Sequence, residues 1–186
     1  MKKNKKIHPS ADKTKRNERQ IEMITSEEKD RILQDLVPFL SPGKFINVAT
    51  CSLERMPNVA PKLVVKTEKN IIYFIDYIIG RTFINLKENP RISISFIDQR
   101  TLTGYQLNGT VDIIDRGSEL EGFVEDFQKI KTGFTVERIL FNLRSGGKTS
   151  ALEFFLPEKF AVLKVKVIEI VEISSSGGLK SKFALG

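Results

Sequence analysis

The chain has 186 residues, of which 40% are hydrophobic, and this length and composition suit one globular domain with a short appendage. Cys51 is the only cysteine, so a disulfide cannot form within the chain, and no apolar run approaches the roughly 20 residues that cross a bilayer. The lysine-rich N-terminus is not followed by the apolar segment of a secretory signal. These features exclude a disulfide scaffold and a membrane-spanning protein, and we expect a cytoplasmic location.

The net charge of +7 is concentrated at the N-terminus. Residues 1–19 contain eight Lys or Arg and two acidic residues, which gives +6, whereas the 22 basic and 21 acidic residues of the remainder give +1. A nearly neutral body does not indicate a nucleic-acid-binding domain. We expect residues 1–24 to be a disordered basic tail, and nucleic acid is a possible partner only through residues 1–19.

His8, the only histidine, falls in that tail. Nucleophilic catalysis by Ser-His-Asp or Cys-His groups requires a histidine held in a packed site, and zinc sites usually draw on clustered His and Cys. The sequence therefore predicts no metal site and no catalytic side chain, so any catalysis is expected to come from a bound cofactor.

Hydrophobic periodicity predicts one helix and then a series of strands. Thr25 and Glu28 form the pattern of a capping box, and the apolar stripe after it predicts a helix that ends near Val37, before Pro38. Six strand-like segments follow, the last long enough to bend or carry a bulge: 46–53, 59–67, 71–76, 91–97, 105–115 and 160–173. Short turns with helices at the edges predict a mainly β fold, a six-stranded closed or nearly closed barrel with an N-terminal helix.

Helices interrupt this series of strands at two places. A short helix over 82–88 is predicted between the third and fourth strands, and Pro90 ends it. After the fifth strand, apolar residues at helical spacing predict a helix over 118–132 and a further helix over 135–143. We therefore expect a barrel domain over 25–174, with a helical insertion at about 118–157, and a loose C-terminal tail over 175–186.

Gly80, Arg81 and Thr82 precede the short helix and form a candidate anion site. A helix N-terminus presents unpaired N–H groups with partial positive charge, Arg81 adds a planar donor fork, and Thr82 adds a hydroxyl at the cap. Asn85 lies one turn further along the same face. Together these groups would bind a phosphate monoester; the alternative is an ordinary capped helix with an exposed arginine.

Two lysines of the second strand form the other candidate. Because side chains alternate along a strand, Lys62, Val64 and Lys66 are expected to share one face, with Leu63 and Val65 on the other. On the ligand side of a barrel the lysines would meet a phosphate or the polar edge of a flavin. On the solvent side they would be ordinary surface residues.

The order of several short motifs resembles the pyridoxamine-phosphate-oxidase-like family of FMN-binding split barrels, over roughly residues 26–115. The motifs are Val48-Ala49-Thr50, Pro57-Asn58-Val59-Ala60-Pro61, Gly80-Arg81-Thr82, Asn85-Leu86-Lys87-Glu88-Asn89-Pro90-Arg91, and Thr103-Gly104-Tyr105 with Gly109. The resemblance implies a flavoprotein and a homodimer with FMN at the subunit interface. It also implies oxidoreductase activity, in which the flavin passes hydride or electrons to or from a small-molecule substrate.

The resemblance further assigns the cofactor-binding residues. In this family the second strand and the helix start hold the phosphate, and the loop that enters the second strand lies along the isoalloxazine. The phosphate residues would be Lys62, Lys66, Arg81, Thr82 and Asn85, the isoalloxazine residues Asn58, Val59, Ala60 and Pro61, and additional contacts Ile75, Asp76 and Gly104.

Three departures separate the chain from true pyridoxamine-phosphate oxidases. The first turn has Glu54-Arg55 where the family often has Asp-Gly, and Arg81-Thr82 stands where the oxidases have Arg-Lys. The chain also has no tryptophan, which the oxidases carry near the C-terminus with an arginine. Vitamin B6 oxidation is therefore not expected. Two alternatives remain open: a relative that binds deazaflavin or haem on the same barrel, and a non-catalytic module that binds a ligand, or nucleic acid through the basic tail.

Overall fold

The computed structural model describes residues 20–78, 80–145, 159–174, 176 and 178–184. Strands dominate this part of the chain, and three helices accompany them. The elements are β1 Gln20–Ile24, α1 Ser26–Leu36, β2 Phe45–Cys51, β3 Pro57–Glu68, β4 Ile71–Tyr77, α2 Arg81–Glu88, β5 Arg91–Asp98, β6 Thr103–Ile114, α3 Ser118–Ser145, β7 Phe160–Ile173 and β8 Leu179–Ala184. None of the three helices is both long enough and apolar enough to cross a membrane.

The six strands β2 to β7 close into an antiparallel barrel, which confirms the predicted fold. Neighbours follow the order β7, β4, β3, β2, β5 and β6, and β6 pairs back onto β7. The 14 residues of β7 make this closure possible, because its first half pairs with β4 on one edge while nearly its whole length pairs with β6 on the other. Closure removes the unpaired edges that an open sheet would expose.

Two apolar clusters hold the barrel together. The first fills its interior and includes one face of α1, which covers an end of the barrel; the second lies outside β3 and β4, under α3. Full burial of each such side chain contributes about 1.5–3 kcal/mol. Members of the first include Leu33, Leu36, Val48, Val64, Phe74, Ile94, Leu107 and Leu163, and members of the second include Leu63, Val65, Tyr73, Ile75, Phe123 and Phe127.

The last barrel strand, which was predicted to bend or carry a bulge, carries a bulge at Ile168. Asn108 pairs with Glu169 and Gly109 pairs with Val167, so Ile168 is an extra residue of β7. The backbones approach so closely here that a Cβ on Gly109 would lie 2.3 Å from the carbonyl oxygen of Lys166. Glycine is therefore the residue that fits position 109.

The segment after the fifth barrel strand forms one helix rather than the two that the sequence predicts. α3 runs without a break through Gly133. A glycine inside a helix costs only about 1 kcal/mol relative to alanine, and Ile130 and Phe134 on either side of it pack against the outer cluster. The packing of these neighbours therefore outweighs the local signal for a break.

Two further strands lie in segments that the sequence predicts to be tails. β8 pairs with the second half of β7, and β1 pairs with β8 in parallel. The prediction of a disordered tail is wrong for residues 20–24, and that of a loose tail is wrong for residues 179–184. The second half of β7 extends past its pairing with β4, and β8 pairs with the edge that this leaves free. The local sequences of β1 and β8 do not reveal this edge, because it arises from the tertiary structure. Residues 1–19 lie outside the described residues.

Candidate functional site

Four polar side chains from β2, β3 and α2 meet at one end of the barrel. The Thr50 hydroxyl accepts hydrogen bonds from Nδ2 of Asn58 at 3.3 Å and from Nδ2 of Asn85 at 3.1 Å. Asn58 Nδ2 also donates to Oγ1 of Thr82 at 3.1 Å. Thr50, Thr82 and Asn85 are buried, so these bonds form away from bulk water and fix α2 against the barrel.

Pairing between β2 and β3 explains why this network forms. Thr50 lies directly opposite Asn58, so their side chains share a face of the sheet. Phe83 and Leu86 bury the apolar side of α2, which brings Thr82 and Asn85 within reach of that face. The structure therefore brings together three predicted site residues. The fourth member of the network is Thr50, which belongs to a family motif but was not predicted to be a site residue.

The N-terminus of α2 leaves hydrogen-bond donors available to an anion. Its N-cap is Gly80, which has no side chain, and no side chain caps the first turn. Arg81 is exposed at the first position of the helix and has no ion-pair partner among the described residues. The sequence predicts Thr82 at the cap, and this is wrong. Thr82 occupies the second helical position, where its hydroxyl accepts a hydrogen bond from Asn58.

Lys62 and Asp76 form a buried ion pair between neighbouring strands. The Lys62 ammonium donates to Oδ1 of Asp76, and both side chains are almost wholly removed from solvent. The pairing of Leu63 with Ile75 places the two residues on the same inward side. The positive charge of Lys62 is therefore balanced by Asp76 within the protein. Lys62 can help to orient a nearby anion, but the pair adds no net positive charge to attract it.

Lys66 lies on the opposite face of β3 from Lys62, so the expectation of one shared face is wrong. The register shifts between Val64 and Lys66, because Val64 pairs with Phe74 while Lys66 pairs with Tyr73. This bulge reverses the alternation and turns Lys66 towards the outer surface. There it bonds Glu68, and this hydrogen bond raises the pKa of Lys66 and lowers that of Glu68.

Two other predicted contacts do not join the network within one chain. Ile75 belongs to the outer cluster under α3. Gly104 pairs with Ile97 of β5. Four residues before Ile97, Ser93 pairs with Ala49, the neighbour of Thr50. At about 3.3 Å per residue, Gly104 is roughly 13 Å from the Thr50 end of the barrel. The residues that were predicted to form the loop entering the second strand belong to β3 itself, where Val59 and Pro61 are exposed and Ala60 is half-buried.

A cleft of about 590 Å³ opens beside the network, on the outer face of β2, β5, β6 and β7. Thr50 lies both in the network and in the wall of this cleft. The lining residues are Ala49, Thr50, Cys51, Asn89, Arg91, Ile92, Ser93, Asn108, Gly109, Thr110, Ile168 and Glu169. The sequence did not predict this group, because its members come from four strands and the end of α2, which only the barrel brings together.

The donor set at the start of α2 fits a phosphate monoester. One exposed guanidinium and an uncapped first turn offer N–H groups in a positive field, and these are the groups that bind phosphate in proteins. Lys66 does not add to this set, and Lys62 adds no net charge. Among the described residues, no group of three or more His, Cys, Asp or Glu is arranged to hold a metal ion.

Comparison with known proteins gives one family and several related folds. A family model described as pyridoxamine 5'-phosphate oxidase matches residues 32–146, which is more than half of the chain. An uncharacterised protein of Methanocaldococcus jannaschii is 27% identical over 126 residues, or 62% of this chain and 83% of that protein.

Two solved structures share the fold at low sequence identity. A protein from Clostridium acetobutylicum, related to general stress protein 26 of B. subtilis and to the pyridoxinephosphate oxidase family, aligns with a TM-score of 0.57. That alignment has 17% identity and covers 83% of this chain and 94% of the other. A heme binding protein from Mycobacterium smegmatis aligns with a TM-score of 0.54 and 14% identity, over 86% of this chain and 58% of the other.

The match to the family model and the closed six-stranded barrel confirm the resemblance that the sequence motifs indicate. The chain belongs to the pyridoxamine 5'-phosphate oxidase family.

Proposed function

We propose that the protein is a flavoprotein that binds FMN and acts as an oxidoreductase. The observation that supports this most is the exposed Arg81 at the uncapped start of α2, next to the buried network of Thr50, Asn58, Thr82 and Asn85. In this proposal Arg81 and the N–H groups of the first turn bind the phosphate of FMN.

The network would keep this phosphate site in a fixed geometry. Asn85 and Thr82 tie the first two turns of α2 to β2 and β3, so the donors are in position before the ligand arrives. The segment from Asn58 to Pro61 would lie along the isoalloxazine, and the neutral Lys62–Asp76 pair would support it from the inner side. Bound FMN would supply hydride or electron transfer to a small-molecule substrate, and the protein would orient the ring and limit water access.

We further propose that the site is completed by a second copy of the chain. Gly104 is roughly 13 Å from the network end within one chain, and in this proposal it contacts the flavin that is bound to the partner subunit. Val59, near the network, and Ile97, which pairs with Gly104, are large apolar residues that are more than half exposed. Light scattering should give the mass of two chains, and a monomer that still binds FMN tightly would contradict this proposal.

The phosphate site is tested by replacing Arg81 with alanine. We expect Arg81→Ala to weaken FMN binding by about 1.5–3 kcal/mol, the usual scale for a hydrogen bond to a charged group, as measured by fluorescence titration. Arg31→Ala removes one positive charge from the exposed side of α1 and serves as the control. If Arg81→Ala leaves the dissociation constant within about a factor of two of the wild-type value, the phosphate site has been placed wrongly.

A further inference from the structure

We propose that the basic N-terminal segment, residues 1–19, binds back onto the end of the barrel that α1 covers. The docking surface, which we name the α1 rim, consists of three stacked aromatic rings and three carboxylates. The proposal does not depend on FMN, because the α1 rim shares no residue with the network or with the start of α2. Its members are Phe39, Phe96 and Tyr105 with Asp35, Asp98 and Glu172.

Stacked rings give the α1 rim an aromatic surface. The ring of Phe96 lies between those of Phe39 and Tyr105, with centroids 5.4 Å and 5.5 Å apart and interplanar angles of 20° and 26°. All three side chains are half-buried, so part of each ring reaches solvent. The faces of aromatic rings attract the cationic groups of lysine and, more often, of arginine.

These rings lie on the opposite side of β5 and β6 from the surface that the dimer proposal gives to a second copy. Ile97 follows Phe96, and Gly104 precedes Tyr105. Successive residues of a strand point to opposite faces of the sheet. A second copy that packs on Ile97 and Gly104 therefore leaves the rings of the α1 rim uncovered.

Carboxylates surround the Tyr105 end of the stack. Burial and then the charges of Glu172, Asp98 and Asp35 raise the pKa of the Tyr105 hydroxyl, so these three side chains lie near its ring. Asp98 is bonded by Arg100, whereas among the described residues the carboxylates of Asp35 and Glu172 form no ion pair. Two negative charges beside the rings are therefore available to a basic segment.

The outer side of α1 extends this negative charge. Of the two basic residues in α1, Lys29 is buried and donates to the carbonyl oxygen of Val167, and Arg31 is exposed. Lys180 lies opposite Glu172 in β8 but forms no ion pair with it. All other charged residues of α1 are acidic, namely Glu27, Glu28, Asp30 and Asp35.

The chain places residues 1–19 next to the α1 rim. Gln20 pairs with Lys180, Lys180 with Glu172, and Glu172 with Tyr105, so the start of β1 is three strand spacings, roughly 14 Å, from Tyr105. The segment carries eight Lys or Arg and two acidic residues, and 19 residues reach up to about 60 Å when extended. Because the segment is tethered at this distance, its local concentration is high, and contacts that are weak one by one hold it together.

Paramagnetic broadening in the full-length protein tests the contact. Lys5→Cys in a Cys51→Ser background accepts one nitroxide label within the segment. In ¹⁵N spectra at low salt, we expect the label to broaden the amide signals of the α1 rim at least about twofold more than those of α3, and about 0.5 M NaCl to remove the difference, because salt screens exposed charges. Broadening that is no stronger at the α1 rim than at α3, or that salt does not change, would overturn the proposal.

Charge variants connect the contact to the carboxylates. Asp35→Asn combined with Glu172→Gln should reduce the broadening at Tyr105 by at least about half, because both ion pairs are lost. Glu121→Gln combined with Glu125→Gln, which neutralises two exposed carboxylates of α3, is the matched control and should leave the broadening unchanged. Equal broadening in the two double variants would overturn the proposal.

Two further measurements keep the test decisive if the first double variant fails to fold. Lys13→Gln, Lys15→Gln and Arg16→Gln together change the segment alone and should reduce the broadening in the same way; unchanged broadening would overturn the proposal. Spin-labelled protein without ¹⁵N, mixed in excess with ¹⁵N-labelled protein that has no spin label, should leave the α1 rim signals sharp. Broadening there would assign the contact to the segment of another copy and would overturn the proposal equally.

Discussion

The two lysines of β3 have different environments although they are only four residues apart. Lys62 bonds a fully buried carboxylate, whereas Lys66 bonds Glu68 with both side chains about half exposed. Buried ion pairs are costly to break from one side, while exposed pairs contribute about 0–1 kcal/mol. The stability of the two pairs should therefore differ strongly, despite similar chemistry.

Lys62→Met removes the cationic partner of the buried Asp76, and we expect it to lower the free energy of unfolding by about 3–5 kcal/mol. Lys66→Met, the matched control, should lower it by no more than about 1 kcal/mol. Urea denaturation measures both. A double variant, Lys62→Met with Asp76→Leu, should recover much of the loss. Equal losses in the two single variants would contradict the description of Lys62–Asp76 as a buried pair.

Glycines 109 and 133 provide a second contrast between single residues. A Cβ on Gly109 would lie 2.3 Å from a backbone oxygen, whereas a Cβ on Gly133 would meet nothing within 4 Å. We expect Gly109→Ala to destabilise the protein by about 1–3 kcal/mol through overpacking, and Gly133→Ala to stabilise it by about 0.5–1 kcal/mol. Thermal unfolding of both variants checks this, and the account of the bulge fails if Gly109→Ala is neutral.

At the scale of the element, α1 shows how much a local sequence signal can determine. The capping box predicted from Thr25 and Glu28 is present: the Glu28 N–H donates to the Thr25 hydroxyl at 3.1 Å, and the Thr25 N–H donates to the Glu28 carboxylate at 2.9 Å. The pKa of Glu28 is lowered below its ordinary value of 4.5, mainly by the hydrogen bond with the backbone N–H of Thr25 and next by the hydrogen bond with the Thr25 hydroxyl.

This lowered pKa makes the stability of α1 dependent on pH. A group whose pKa is lower in the folded than in the unfolded state stabilises the protein above its unfolded pKa, and this contribution is lost as the pH falls through the folded pKa. Wild-type protein should therefore be more stable than Glu28→Gln at pH 7, and the difference should shrink as the pH drops below about 4.5. Urea denaturation between about pH 3 and pH 7 measures it, with Glu27→Gln as control. A difference that stays constant with pH would contradict the capping account.

The positions of the two bulges, in β3 and β7, could not be predicted from the sequence. The alternation of side chains predicts the barrel strands well, but a bulge at one residue reverses every face beyond it. For Lys66 this turns a predicted ligand contact towards the outer surface, and for Glu169 it turns an unremarked residue into the wall of a cleft. Both bulges are fixed by cross-strand register, which depends on the partner strand rather than on local sequence.

At the scale of the whole molecule, the sequence predicts the barrel and the start of α2 because both rest on local patterns. Periodicity identified the six barrel strands, and the turn at Gly80 and Arg81 identified the donors at the helix start. The place of Thr50 in the network was missed because it arises from the cross-strand neighbour Asn58 and from Asn85. β1 and β8 were missed because their stability comes from the extended edge of β7.

Our proposal places the cofactor between two copies of the chain, and two alternatives to it have distinct signatures. A deazaflavin or haem relative would release a different chromophore, and the only histidine, a common haem ligand, is His8 in the basic tail. A nucleic-acid-binding module would show salt-dependent binding that disappears when residues 1–19 are removed. The nucleic-acid-binding alternative does not require Arg81 at the start of α2.

The visible absorption spectrum of freshly purified full-length protein, followed by chromatography of the material that heat releases, tests the central proposal most directly. The account predicts a yellow protein that releases FMN, or a colourless protein that becomes yellow when FMN is added and retains it through gel filtration. A haem or deazaflavin spectrum, or a colourless protein that fails to take up added FMN, would contradict it.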